Sequence, residues 1–288
     1  MIDNIVLYIE NVEVDAYDSF KRKLSDAEMS GLLPKVADFI GKGYSDYHYR
    51  LQVGSGGGAI SIGYKHNSAY EHANAYRMRV EFNPAKSNEL HKEFWKVFSN
   101  HFVSYRKLIK QLDIAFDLVG VTIDKIIALS LTGRQRSLYK GTVYFGSRGN
   151  SGRLKIYDKK KEYEEKQKKK IEDEMTRIEY TVRFEEPMTL QILSSCSTSI
   201  NSEYEIAYFS AEKLSGDVKA AVLAIHHGYM QMNEFTRTMI KKVKEAVAGM
   251  EKLDLDHAYK TSLAKNVGVL SGYISGIGYG VAKDSVSK

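Results

Sequence analysis

The chain has 288 residues, 43% of them hydrophobic and 27% charged, which is enough to bury a sizeable core and too apolar for intrinsic disorder. A formal net charge of +6 favours an anionic partner, while the single cysteine, Cys196, excludes an intramolecular disulfide and any multi-cysteine zinc site. No apolar stretch approaches ~18 residues and no basic region precedes an apolar run at the start, so a cytoplasmic protein is expected, neither secreted nor membrane-spanning.

In chain order, residues 1–10 read as a strand with Ile5, Leu7 and Ile9 on one face. A helix or loop segment over 17–42 leads into a tyrosine-rich stretch from Tyr44 to Tyr49. Gly54-Ser-Gly-Gly-Gly58 lacks the lysine and Ser/Thr of a phosphate-cradling loop and reads as a turn. Strands are predicted at 59–64 and 76–82, the second alternating Tyr76, Met78, Val80 and Phe82 with charged residues. Residues 87–109 follow a helical period, with Leu90, Phe94, Phe98, Phe102 and Leu108 on the apolar face. Then come a strand over Leu112–Leu118, a short helix at 122–128, a strand over Gly141–Phe145, a turn over Gly146–Gly152 and a strand ending in Tyr157. Lys159–Lys170 holds seven lysines and three glutamates, a composition that fits a solvated charged face. The strand Thr176–Phe184 follows. From about 189 the pattern turns helical, with an apolar-periodic run from Val218 to about Met250. This order implies an α+β fold with a sheet-based domain over 1–215 and a helical C-terminal region over 216–288.

Two strands carry carboxylates in a chemically suggestive pattern. Asp113 and Asp117 lie four apart, so both point to one face with the small Ala115 between them. Arg177, Glu179, Thr181 and Arg183 likewise share one face of a strand. Close carboxylates repel unless a cation sits between them, and oxygen ligands suit Mg²⁺ or Mn²⁺. The alternative is a pair of amphipathic strands whose solvent-facing charges pair across the sheet. Tyr157 stands at a strand end between Lys155 and Lys159, where a hydroxyl can act as a nucleophile toward a phosphodiester or simply pack. Tyr163 is the competing tyrosine.

Taken together, Asp113-Ile-Ala-Phe-Asp117, Tyr144-Phe-Gly-Ser-Arg148 leading to Lys155-Ile-Tyr157-Asp-Lys159, and Arg177-Ile-Glu179 with Arg183 resemble the motifs of rolling-circle replication initiators of the Rep-trans type. That family is found on Gram-positive plasmids, in relaxases of integrative conjugative elements and in some filamentous phages. The resemblance implies a relaxase-like, largely antiparallel sheet that nicks DNA with a tyrosine and carboxylate-bound metal rather than paired histidines. Tyr157 matches the nucleophile, Asp113 and Glu179 the metal ligands with Asp117 a third, and Arg148 and Arg177 match phosphate contacts. Lys155, Lys159, Lys160 and Arg183 would follow the DNA backbone. Three positions depart from the pattern: Lys155 replaces an arginine, Leu118 follows Asp117 where a further aspartate is common, and Arg183 lies four rather than two residues beyond Glu179.

An initiator must also find its origin, which phosphate contacts alone do not specify. Ala264, Gly268, Val269, Ile274 and Ile277 fall at helix-turn-helix spacing over 261–280, which would offer Ser271, Tyr273 and Ser275 to a groove. Against it, each glycine at 272, 276 and 278 costs the second helix about 1 kcal/mol relative to alanine. The run over 218–250 could serve a homodimer. The implied partners are double- and single-stranded origin DNA together with host helicase and polymerase. Two other readings stay open, a non-catalytic origin-binding initiator of the theta type and a helix-turn-helix transcriptional regulator.

Overall fold

The computed structural model describes residues 1–40, 49–65, 76–87, 92–147, 149–167, 170–190, 192 and 199–275. They belong to two compact units, the first comprising Met1–Asp113, Phe184–Cys196 and Ser262–Lys288, and the second Ile114–Arg183 and Ser197–Thr261.

The first unit contains β1 (Ile2–Glu10), α1 (Val14–Met29), β2 (Val36–Ile40), β3 (Tyr49–Val53), β4 (Ile60–Tyr64), β5 (Tyr76–Phe82), α2 (Lys92–His101) and the start of β6 (Lys107–Val119). Its strands run β2-β3-β4-β5-β1, and every pair in that series is antiparallel. Helix α1 buries Tyr17, Phe20, Leu24 and Ala27, a three-four-three spacing that makes one apolar stripe. Phe20 meets Phe94, Phe98 and Phe102 edge-on, and Tyr17 stacks on Tyr64 with ring centroids 4.2 Å apart. The predicted helix over 87–109 is therefore real but shorter. The Lys107 ammonium donates to the carbonyls of Phe102 at 2.5 Å and Tyr105 at 3.4 Å, closing the helical stretch, and Leu108 belongs to β6. The segment over 17–42 is α1 followed by β2, with Gly31 taking a φ of 70° at the break. Most of the tyrosine-rich stretch, residues 41–48, lies outside the described residues.

The second unit continues β6 from Ile114 and adds β7 (Ile126–Ser130), β8 (Arg136–Tyr139), β9 (Thr142–Phe145), β10 (Arg153–Asp158), α3 (Lys159–Gln167), β11 (Met175–Met188) as far as Arg183, β12 (Tyr204–Tyr208), α4 (Gly216–His227), α5 (Arg237–Ala248) and the start of α6 (Leu255–Ser275), as far as Thr261, the rest of β11 and α6 belonging to the first. Within it the strand order is β6-β11-β10-β9-β8, with β7 and β12 forming a separate antiparallel pair. Ile127 and Leu129 of β7, Ala207 of β12, Ala221, Val222 and Ile225 of α4, and Val243 and Val247 of α5 make one buried cluster. Antiparallel sheets with flanking helices agree with the α+β expectation.

Several elements differ from the sequence reading. Residues 122–128 are a single 3₁₀ turn, Ile123–Lys125, running into β7 rather than a helix. All five residues of β7 are buried, so no alternation marks it as a strand. The apolar run over 218–250 is two helices. Gly228, left-handed at φ 79°, ends α4, and the Thr236 hydroxyl restarts the chain as α5 by accepting from Met239 N–H at 3.3 Å. The helix-turn-helix is not present in the described residues: α6 runs without a break from Leu255 to Ser275, straight through Gly268. Ala264 is exposed rather than packed, Ser271 is half-buried, and the side chains of Tyr273 and Ser275 and all of 276–280 lie outside the described residues.

Two local devices secure strand ends in this unit. Strand β8 ends the strand series, and the Gln231 amide pairs with its backbone, accepting from Arg136 N–H at 3.3 Å and donating to Arg136 C=O at 3.0 Å. In the turn before β10, Gly152 has a φ of 73°, and a Cβ there would lie 2.3 Å from Arg134 Nη2 and from Glu203 Oε2. Those two groups form a salt bridge at 3.0 Å, and Gly152 C=O accepts the Tyr204 hydroxyl at 2.5 Å. Among the described residues no helix is long and apolar enough to cross a membrane.

Candidate active site

The site lies within the second unit, on one face of β10 and β11. Antiparallel pairing sets Lys155 opposite Glu179 and Tyr157 opposite Arg177, and on the other side of β10 sets Lys155 opposite Tyr144 of β9. Alternation sends Leu154 and Ile156, 0% and 2% exposed, to the apolar side and leaves Lys155 and Tyr157 half-buried on the other. One residue beyond Tyr157 the strand ends, because Asp158 Oδ1 accepts from Lys161 N–H at 2.9 Å and caps α3. The tyrosine is therefore fixed between the last strand residues and the first helical turn.

Its hydroxyl donates to Glu179 Oε1 at 2.6 Å, and the Lys155 ammonium donates to Glu179 Oε2. Glu179 is 5% exposed. Burial alone would raise its pKa, but the Lys155 charge and hydrogen bond, the Tyr157 hydroxyl and Arg177 outweigh burial and hold the carboxyl below its ordinary range. Tyr157 is shifted the other way. Burial, then the Glu179 charge and the hydrogen bond to it, raise the phenol far above its ordinary value, so it is protonated at neutral pH. Lys159 Nζ lies 5.6 Å from the centroid of the Tyr157 ring and 5.0 Å from that of Tyr163, while also bonding Glu162. Beside this group Arg177, 4% exposed, grips Asp117 with two parallel bonds, Nε to Oδ1 at 2.5 Å and Nη2 to Oδ2 at 2.7 Å.

The structure thus brings together Tyr157, Lys155, Lys159, Arg177, Asp117 and Glu179. The charges of β11 at Arg177 and Glu179 are buried, not solvent-facing. Lys155, expected on a DNA backbone, is engaged by Glu179, and Lys159 is nearly buried at 5% exposure. Lys160 bonds Glu174 at 2.8 Å, and the exposed Arg183 donates to Gly149 C=O. Arg148 lies outside the described residues. Asp113 is part of the first unit, where it accepts from Gln111 Nε2 at 3.1 Å and Asn4 Nδ2 at 3.5 Å.

The oxygens of the three carboxylates are engaged within the protein. Both oxygens of Asp117 accept from Arg177, those of Glu179 from Lys155 and Tyr157, and those of Asp113 from Gln111 and Asn4. Among the described residues no group of three or more His, Cys, Asp or Glu could hold a metal ion. As arranged, Mg²⁺ or Mn²⁺ would have to replace these side-chain donors. Lys155 supplies to Glu179 the positive charge that sequence reasoning assigned to an ion, and Arg177 does so for Asp117. Sequence reasoning also missed Arg134, Glu203 and Tyr204, which secure the turn leading into β10. Residues 69 positions apart in sequence give no local signal of pairing.

The strands that carry this site fall within a stretch that is similar to a known protein family. More particularly, residues 122–207 match the Phage_CRI family model, which describes the N-terminal part of a phage replication-associated protein. That span takes in Tyr157, Lys155, Arg177 and Glu179, the same strands that carry the motifs. No curated protein sequence matches the chain. Among solved structures the chain is similar to a rolling circle replication initiator protein from Geobacillus stearothermophilus, at 13% identity and a TM-score of 0.40, covering 87% of this chain and 97% of that one.

Proposed function

We propose that this protein nicks one strand of its origin DNA through Tyr157 and so primes replication of a plasmid or similar mobile element. The observation that supports this reading above others is the Tyr157 hydroxyl donating at 2.6 Å to a buried, ionised carboxylate. In the proposed step Tyr157 Oη attacks the scissile phosphorus and the bond from phosphorus to the 3′ oxygen breaks. Tyrosine is left joined to the 5′ phosphate, and the 3′ oxygen takes a proton to become the primer end. Glu179 Oε1 receives the phenol proton as the bond forms and returns it to the leaving oxygen. Lys155 on the second oxygen and Lys159 over the ring stabilise the charge that moves between tyrosine and glutamate. Arg177, clamped by Asp117, places positive charge beside the developing phosphorane. Because the phenol is held protonated, the unloaded protein is a poor nucleophile, and the step waits for a phosphate to enter.

Recognition of double- and single-stranded origin DNA, a homodimer and recruitment of host helicase and polymerase belong to the same proposal, as does a requirement for Mg²⁺ or Mn²⁺. The test uses supercoiled DNA carrying the origin of the encoding element, with Mg²⁺, Mn²⁺ or chelator. Wild-type protein is expected to yield open circles with protein attached through tyrosine, and Tyr157→Phe to yield none. Normal nicking by Tyr157→Phe would show the site to be wrongly assigned. Tight origin binding without cleavage under any condition would favour the non-catalytic initiator.

A further inference from the structure

Helix α5 carries a surface that the nicking site does not use. Its inner side holds Val243 and Val247, both 0% exposed, with Met239 and Ala246 packed against the same cluster. Arg237, Lys241 and Lys244 follow at i, i+4 and i+7, which aligns them in one stripe on the opposite side, with exposed Lys242 flanking. Among the described residues only Lys241 of these four has a carboxylate neighbour, Glu245 at 3.8 Å, and that pair is 78% and 64% exposed.

Folding does not favour this arrangement. The first turn of α5 contains a cation and no acidic residue, and its last turn contains no basic one, the reverse of what the helix dipole prefers. Arg237 with Lys241, and Lys241 with Lys244, are like-charged neighbours one turn apart, which also destabilises. A stripe that folding disfavours points to an external anion.

We infer that the Arg237–Lys241–Lys244 stripe of α5 docks the phosphate backbone of duplex DNA, an inference that rests on the proposed action on DNA. At 1.5 Å per residue the stripe spans about 10.5 Å, the axial length of about three phosphate-to-phosphate steps on one strand of a duplex. The exposed positions of α5 are Arg237, Thr238, Lys241, Lys242, Glu245 and Ala248. No aromatic ring stands among them to stack single-stranded bases, and no large apolar side chain to enter a lipid interface. The apolar side of α5 is already committed to the core.

The test compares full-length wild type with the triple variant Arg237→Gln, Lys241→Gln, Lys244→Gln, in which helix propensity is nearly kept. Binding to a mixed-sequence duplex of about 30 base pairs, read by fluorescence anisotropy, follows log affinity against log salt. The variant should lose about 2.7 from the magnitude of that slope, three phosphates at about 0.9 each. Its melting temperature should equal or exceed that of wild type. Tyr157-dependent cleavage of heat-denatured DNA from the encoding element should persist. An unchanged slope overturns the inference. So does loss of binding to anionic phosphatidylserine vesicles with the duplex slope intact, which would assign the stripe to a lipid surface. Wild type that cleaves single strands but does not bind duplex overturns this inference and spares the proposed function. Wild type that does neither removes both.

Discussion

Replacing Glu179 with glutamine separates the role of its charge from its role in the fold. The side chain keeps its size, and the amide oxygen can still accept from Tyr157 at the position of Oε1. The bond from Tyr157 to an ionised group becomes a bond to a neutral one, and the bond from Lys155 is lost because the amide NH₂ cannot accept it, about 1 kcal/mol each. Relief from burying a carboxylate that is 5% exposed offsets part of that loss. Lys155, 28% exposed at its side chain, can turn to water. The net destabilisation should be about 0–2 kcal/mol, small against the 5–15 kcal/mol stability of an ordinary domain. Nicking should fall much further, because a positioned proton acceptor contributes about 10²–10⁴-fold, or about 2.7–5.4 kcal/mol of barrier. The assay pairs urea unfolding with single-turnover nicking of supercoiled origin DNA at pH 7.5. A folded Glu179→Gln protein that nicks within about threefold of wild type would falsify the assignment of Glu179 as proton acceptor.

Lys155→Met should cost about 2 kcal/mol at pH 7, below the usual figure for breaking a buried pair because Lys155 is partly exposed. The folded pKa of Glu179 is depressed, so its stabilisation is present above about pH 4.3 and lost as pH falls through the folded value. The gap between wild type and Lys155→Met in urea midpoints should therefore narrow as pH falls below about 4.3. His226, whose folded pKa is depressed by burial, contributes stability present above about pH 6.5 and lost below it. His226→Gln should flatten the pH dependence of the urea midpoint between pH 7.5 and 5, and an unchanged profile would refute this. Gly152→Ala should destabilise by about 2 kcal/mol or more, from left-handed strain plus collision with the Arg134–Glu203 pair. Gly149→Ala, with φ 89° and nothing closer than 3.6 Å to a new Cβ, should show strain alone and so a smaller shift in melting temperature.

What the sequence revealed depended on whether a residue's surroundings were local. The strands β9, β10 and β11 were legible because each alternates or is bracketed by glycine turns. Strand β7 was not, since Ile126–Ser130 is buried on both faces and a short apolar run has no diagnostic period. The break at Gly228 was visible as a glycine, yet the apolar period resumes beyond it and masks the gap. Gly268 and Gly272 misled in the opposite direction: α6 continues through both, tertiary packing outweighing their poor propensity. At the site, the sequence named side chains that the fold brings together, but not the bonds between them. Asp117 with Arg177 and Lys155 with Glu179 depend on strand register, 60 and 24 residues apart, which no local pattern reveals.

The Gln231 amide on the rim of β8 has a consequence for the life of the chain in a crowded solution. A terminal strand with bare N–H and C=O groups invites another chain to continue the ladder, and β8 adds exposed Leu138 and Tyr139 to that invitation. Gln231 occupies both backbone groups of Arg136 with a side chain that cannot itself be extended. One amide thus acts as a stopper against fibre-like growth at the end where the strand series runs out.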